Sequence, residues 1–163
     1  MAFSPSLFKI TVLPTYPVIM TAVHKTIQLG YSAAQMYALV EDIESYPAFL
    51  PWCDSVRVQR DAVNHTVLAE MHMNVMGIRQ TFTTRNQNTP SSSIRIQLER
   101  GPFHELEGEW VFTPIDDSHC TVALSMHYVF SNRLLGRMLG PLFSAMAVDL
   151  VAAFQRRAKE IYG

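Results

Sequence analysis

The sequence predicts an α+β domain in which a curved antiparallel sheet of about seven strands is interrupted after its first strand by two short helices and covered by a long C-terminal helix. Three observations predict it. Apolar and polar residues alternate with period two from Cys53 to about Phe130, so each strand has one wet and one apolar face, the mark of an antiparallel sheet covered on one side only. A capped segment of helical period lies between the first strand and the rest, and a broad apolar stripe of helical period closes the chain and supplies the cover. At 163 residues there is length for one core.

Residues 1–19, "MAFSPSLFKITVLPTYPVI", stand apart. Pro5, Pro14 and Pro17 break any continuous helix, Lys9 interrupts a signal-like apolar run, and no small-residue cleavage pattern follows. The expectation is a loosely ordered extension, or a piece upstream of the true start, with the domain occupying 20–163. "AVHKTIQL" (22–29) then reads as a strand. Ser32 and Gln35 form a capping box for the next segment, with Tyr31 and Met36 as its hydrophobic staple, and Met36, Leu39, Val40 and Ile43 recur on one helical face. Ser45 is expected to cap a second, very short helix over 46–50, which Pro51 ends.

From Cys53 the period is two. Val56 and Val58 oppose Arg57 and Gln59. Val67, Ala69, Met71, Met73 and Val75 oppose Glu70, His72 and Asn74. Gly77 turns the chain into "IRQTFTTRN", where Ile78 and Phe82 alternate with Arg79, Thr81 and Thr83, and Gln80 is the only clearly polar side chain placed on the inward set. "QNTPSSS" reads as a loop, followed by Ile94, Ile96 and Leu98. Leu106, Gly108, Trp110 and Phe112 then share a face, as do Val122, Leu124, Met126, Tyr128 and Phe130. In the last segment Phe143, Met146, Ala147, Leu150, Val151, Phe154, Ala158 and Ile161 form the stripe, and Arg156, Arg157 and Lys159 suit the carboxyl end of the helix dipole. Pro141 is expected either to start this helix or to kink it.

Composition narrows the function classes. Charged residues make up only 17% and nine methionines are present, which leans towards a roomy, adaptable apolar interior. A net charge of −1 with no basic run gives no field for a polyanion, so DNA is excluded as a partner. Cys53 and Cys120 belong to no C-x-x-C pair, which suits a reducing, cytoplasmic setting. No segment after residues 1–19 reads as long and apolar enough to span a bilayer.

The blocks "MYALVEDIESYPAFLPWC", "FTTRN", "GPFHELEGEWVFTP", "YVFSNRLL" and "AFQRRAKEIYG" resemble, in order and spacing from about Met20 to the end, the coenzyme Q-binding, START-like family, which includes bacterial ribosome-association toxins. The resemblance implies the helix-grip fold, also called START-like or Bet v-like, with the long helix across the concave face. It implies two different activities. One is non-enzymatic binding of a hydrophobic molecule between sheet and helix, a polyprenyl quinone such as ubiquinone or another lipid, in support of respiration, with transient contact at the inner-membrane surface. The other is binding to the large ribosomal subunit and blocking its association with the small one. No cofactor is obligatory in either.

The first activity concerns the cavity. Met71, Met73, Phe82, Trp110, Phe112, Met126, Tyr128, Met146 and Leu150 are its expected wall, and the apolar connector residues Tyr46, Phe49, Leu50 and Trp52 its expected lid. The alternative is that these side chains meet and close the core, with the connector a plug. The second activity concerns the outer surface, where Arg79, Arg85, Arg95, Arg133, Arg137, Arg156, Arg157 and Lys159 are available to phosphates. Glutamates at 99, 105, 107 and 109 lie among them, and scattered charges of both signs also describe an ordinary solvated face.

Enzymatic signatures are missing. Six histidines show no metal-ligand spacing, and the chain has no H-E-x-x-H, phosphate loop, dinucleotide fingerprint or nucleophile elbow. His72 and His127 fall on outward faces, and Cys53 reads as a buried packing residue rather than a reactive thiol. No catalytic or metal-binding role is expected.

Overall fold

The computed structural model describes residues 20–163, so the expected N-terminal extension at 1–19 lies outside the described residues. Seven strands, β1 (Thr21–Leu29), β2 (Cys53–Asp61), β3 (Thr66–Val75), β4 (Ile78–Thr89), β5 (Ser93–Arg100), β6 (Phe103–Asp116) and β7 (His119–Phe130), form one sheet in the order β1-β7-β6-β5-β4-β3-β2. Every neighbouring pair is antiparallel. β2 to β7 follow one another as a meander, and β1 adds to the free edge of β7. Because β1 and β2 lie at opposite edges, the connector between them must cross the whole sheet. It does so as helix α1 (Ala33–Glu41), a single 3-10 turn (Ile43–Ser45) and the short helix α2 (Tyr46–Phe49).

The sequence signals act locally where they were read. The capping box at α1 is complete: Gln35 N donates to Ser32 Oγ at 3.1 Å and Ser32 N donates to Gln35 Oε1 at 2.9 Å. Met36, Leu39, Val40 and Ile43 are buried. Met76 and Gly77 both take positive φ (52° and 85°), the geometry of the tight primed turn that joins β3 to β4 with the twist of the strands.

Several expectations are corrected. Ser45 does not cap α2; its hydroxyl donates to Asp42 at 2.5 Å, and the chain enters α2 straight from the 3-10 turn with Pro47 in the first turn. "QNTPSSS" is not all loop, since Gln87, Asn88 and Thr89 continue β4 against Arg95, Ile94 and Ser93, leaving a short turn with Ser91 at φ 58°. Polar composition had hidden a paired strand.

Helix α3 (Arg133–Tyr162) starts eight residues before Pro141, capped by Asn132 Oδ1, which accepts from Leu134 N at 2.8 Å and Leu135 N at 3.3 Å. Pro141 therefore lies inside it, where its missing N–H leaves the Arg137 carbonyl without its usual donor. Ile161, expected on the buried stripe, is half exposed in the last turn of α3, where it borders a surface groove with Ala38 and Leu39 of α1.

By length and composition α3 also passes as a membrane span, contrary to expectation, since between Arg137 and Arg156 the only charge is Asp149. Phe143, Ala147, Val151, Phe154 and Ala158 give that apolar character a place in the core, against the sheet and α1.

α3 does not lie centrally over the sheet. Its closest approaches are to β1, β7 and α1. Its C-terminal turn is fixed to α1, where Tyr162 Oη donates to the Gln35 carbonyl at 3.1 Å and its ring sits 6.0 Å from that of Tyr31. The β3–β4 side of the concave face is thus left to the connector and to whatever side chains can reach across.

Candidate functional site

Apart from Phe82, the inward positions on the β3–β4 side of the cavity are held by small, flexible or polar residues. Ala69 and Met71 come from β3, and Phe82, Thr84 and Asn86 from β4. α3 crosses above with Phe143, Met146, Ala147, Leu150 and Phe154. Ile43, Tyr46 and Trp52 of the connector close the near side, and Ile96, Leu106, Trp110 and Met126 the far side. Between them is an apolar cavity of about 80 Å³. That is less than the roughly 150 Å³ of an engineered core cavity that admits benzene. The roomy interior expected from composition is therefore mostly filled, and a ligand larger than a few atoms must displace wall side chains. Met71, Met126 and Met146 are suited to this, because an unbranched thioether changes rotamer at little cost.

Of the expected wall and lid, Tyr46, Trp52, Met71, Phe82, Trp110, Met126, Met146 and Leu150 line this cavity. Met73 lines a narrower neighbouring pocket with Phe82, Gln80 and Phe143. Tyr128 is packed within an aromatic cluster, its ring 4.7 Å from Phe143 and 6.1 Å from Phe103. Phe112 lies edge-on to Tyr37 of α1 at 5.7 Å, because the curvature of β6 carries it beyond Trp110. Leu50 is buried with Cys53 and Ala153 beneath the connector, and Phe49 packs on Phe154 with the Arg157 guanidinium 5.1 Å from its ring.

The polar side chains on the inward face were missed. Gln80 is not the only one: Thr84 (2% exposed), Asn86 (6%) and Asn88 (9%) continue the same i, i+2 stripe of β4. The signal was the register of Phe82, which places every second residue after it inward. Asn86 Oδ1, Asn88 Oδ1 and Tyr128 Oη are buried without a hydrogen-bond partner. Leaving one such group unpaired costs about 1–3 kcal/mol. Asn86 and Thr84 border the cavity, whereas the Asn88 side chain reaches the Tyr37 hydroxyl.

The connector is firmly attached. Tyr46 Oη donates to the Val40 carbonyl at 2.5 Å, and burial pushes its pKa far above the ordinary tyrosine value. Asn74 N donates to the Trp52 carbonyl at 2.9 Å. Arg60 of β2 reaches back to Glu41 and Glu44, and this hydrogen bond holds the Glu44 carboxyl below its usual range. Cys53 is 3% exposed and its thiol is pushed up to about 11, by burial first and then by Asp54.

On the outer surface Arg85 pairs with Glu99, Arg95 with Glu109 and Arg157 with Glu160. Among the described residues Arg79, Arg137, Arg156 and Lys159 form no ion pair, but they are spread over β4 and both ends of α3. Arg133 lies at the start of α3. The structure also brings together Glu105, Glu107 and His127, whose ligand atoms lie within 4.8 Å of one another across β6 and β7. Spacing along the chain could not reveal this set. All three are at the surface, with His127 Nε2 3.1 Å from Glu105 Oε1.

Comparison with known proteins adds the following. The family model described as polyketide cyclase / dehydrase and lipid transport matches residues 29–155. The ribosome association toxin RatA of Vibrio cholerae is 40% identical over 144 residues, covering 88% of this chain and 99% of that protein. The mitochondrial coenzyme Q-binding protein COQ10 homolog B of Xenopus laevis is 27% identical over 139 residues, covering 83% of this chain and 57% of that protein. A Streptomyces aromatase/cyclase structure superposes with a TM-score of 0.74 at 19% identity, covering 86% of this chain and 94% of its own, which is a likeness of fold.

Proposed function

We propose, from the premise that this chain belongs to the START-like polyketide cyclase / dehydrase and lipid transport family, that it binds a hydrophobic molecule without transforming it. A polyprenyl quinone such as ubiquinone, or another lipid, inserts between α3 and the β3–β4 half of the sheet. The observation that carries this reading is the apolar cavity walled by three methionines at the place where α3 leaves the sheet uncovered. Each isoprene unit taken from water contributes a few kcal/mol at about 25 cal/mol per Å², which is enough to offset rotation of the methionines. The name of the Xenopus relative, a coenzyme Q-binding protein, supports a quinone as the cargo. In this reading the protein is cytoplasmic and touches a membrane surface transiently to exchange its cargo.

Native mass spectrometry of gently purified protein, followed by organic extraction, tests this reading. A stoichiometric isoprenoid or lipid adduct is expected. A clean apo mass that persists after incubation with a short-chain ubiquinone and with its reduced quinol overturns it.

A second reading is supported by the 40% identity, over 88% of this chain, to a protein named as a ribosome association toxin. In it the outer surface binds the large ribosomal subunit and keeps the small one away, inhibiting translation. Arg79, Arg137, Arg156 and Lys159 are the side chains available to rRNA phosphates, and binding through them weakens with salt. Sucrose-gradient profiles of separated subunits, reassociated with and without the protein, test it directly. A reduced 70S peak is expected, and an unchanged profile at stoichiometric excess removes the reading.

A further inference from the structure

Two neighbouring side chains on β4 give the cavity a polarity that its ligand must match. Asn86 is 6% exposed, it lines the cavity, and its Oδ1 has no hydrogen-bond partner. Thr84 is 2% exposed and lies two residues away on the same inward face, lining the same cavity. The wall contains no carboxylate, lysine, arginine or histidine, and its other hydroxyl, on Tyr46, is already committed to the Val40 carbonyl.

We propose that Asn86 and Thr84 are the anchor for the head of an amphiphilic ligand, and that the head is an uncharged hydroxyl which donates its hydrogen bond to Asn86 Oδ1. The proposal rests on the ligand-binding reading above and adds the chemical class of the ligand. A charged head is excluded because the cavity offers no counter-ion and burial of an unpaired charge is prohibitive. A head with acceptors alone, such as a quinone carbonyl, leaves Oδ1 as it is now, without a donor. A phenol, a quinol or an aliphatic alcohol supplies that donor, and Thr84 offers a second hydroxyl beside it. The reduced form of a quinone is therefore held in preference to the oxidised form, with the apolar body lying along Met71, Met126 and Met146.

The other unpartnered acceptors do not compete. Asn88 and Tyr128 are not among the cavity's lining residues, and Tyr128 is surrounded by the rings of Phe103, Phe130 and Phe143.

Binding of 4-hexylphenol, 1-nonanol and hexylbenzene, measured by calorimetry on the whole chain, tests the anchor. Hexylphenol or nonanol is expected to bind at least tenfold tighter than hexylbenzene, and whichever hydroxyl compound is favoured identifies an aromatic or an aliphatic head. Asn86→Leu is expected to erase that difference, with an unfolding midpoint unchanged or raised. Thr84→Val narrows the difference without removing it. If hexylphenol, nonanol and hexylbenzene bind the unmodified protein alike, the anchor is wrong while the apolar cavity stands. If none of the three binds, the ligand-binding reading falls and the anchor falls with it.

Discussion

Beneath α3 the β6–β7 half of the concave face presents Phe112, Val122 and Leu124, none more than 2% exposed, and Phe154 drives its ring edge against Trp110 at 5.4 Å. The β3–β4 half presents Ala69, Met71, Thr84 and Asn86, and there the cavity opens. Both halves are built from strands with the same alternation. They differ in side-chain volume, in polarity and in how closely α3 approaches. One half is packed to the density that makes a core rigid; the other retains a void and an unpaired amide oxygen, both of which cost stability. In this chain, then, the void lies where the packing is given up. The firmly packed half supports that cost.

The largest expected effect tests the packed half at its border with the cavity, since Phe154 belongs to both. Phe154→Ala removes a ring that contacts those of Tyr46, Phe49 and Trp110, so the unfolding free energy from urea titration should fall by about 3–5 kcal/mol. A loss below about 1 kcal/mol would mean that this half is as loosely packed as the other.

Next comes the connector over the open half. Trp52 is only half-buried, so Trp52→Ala is expected to cost about 1–2 kcal/mol while weakening hexylphenol or lipid affinity about tenfold, which is how a lid behaves. A loss of several kcal/mol with affinity unchanged identifies a plug instead. Cys53 reports the same movement. Buried and with its thiol pushed up to about 11, it should be inert to a maleimide at pH 7.5 in the free protein and become labelled as ligand enters if the connector lifts.

The smallest effect concerns the clamp at the edge. Arg60 holds the Glu44 carboxyl below its unfolded value of roughly 4.3, so this pair contributes stability above that value and loses it as pH falls through the lower, folded value. Because Glu44 is half exposed, the contribution should stay below about 1 kcal/mol and shrink with salt. Comparing wild type with Arg60→Ala at pH 7 and pH 3 checks it; the difference between them should be present at pH 7 and reduced at pH 3.

How much of this was legible in the chain depends on the range of the interaction. Period-two alternation and the Ser32–Gln35 capping box identified the strands and α1, because both are rules about residues within a few positions of one another. The end of β4 was misread because Gln87, Asn88 and Thr89 look like loop residues, and only pairing with β5 makes them strand. The same misreading concealed Asn88, whereas Asn86 lay within the strand as read and was given no inward place. Had the inward register of Phe82 been carried forward, both would have been placed in the core despite their polarity.

The sequence by itself determined the strand and helix order, the apolar stripe of α3 and a sheet needing a cover on one face, since each follows from local periodicity. The tertiary structure alone decided where the cover sits. α3 docks on β1, β7 and α1, its last turn held by Tyr162 against Tyr31 and Gln35, more than a hundred residues earlier in the chain. That offset turns a greasy face into a cavity, selects which wall residues meet in it, and leaves Phe49, Leu50 and Phe112 outside. A void is what remains when many side chains fail to fill a shared volume. No short-range pattern encodes that, because it depends on the summed shapes of elements that meet only after folding.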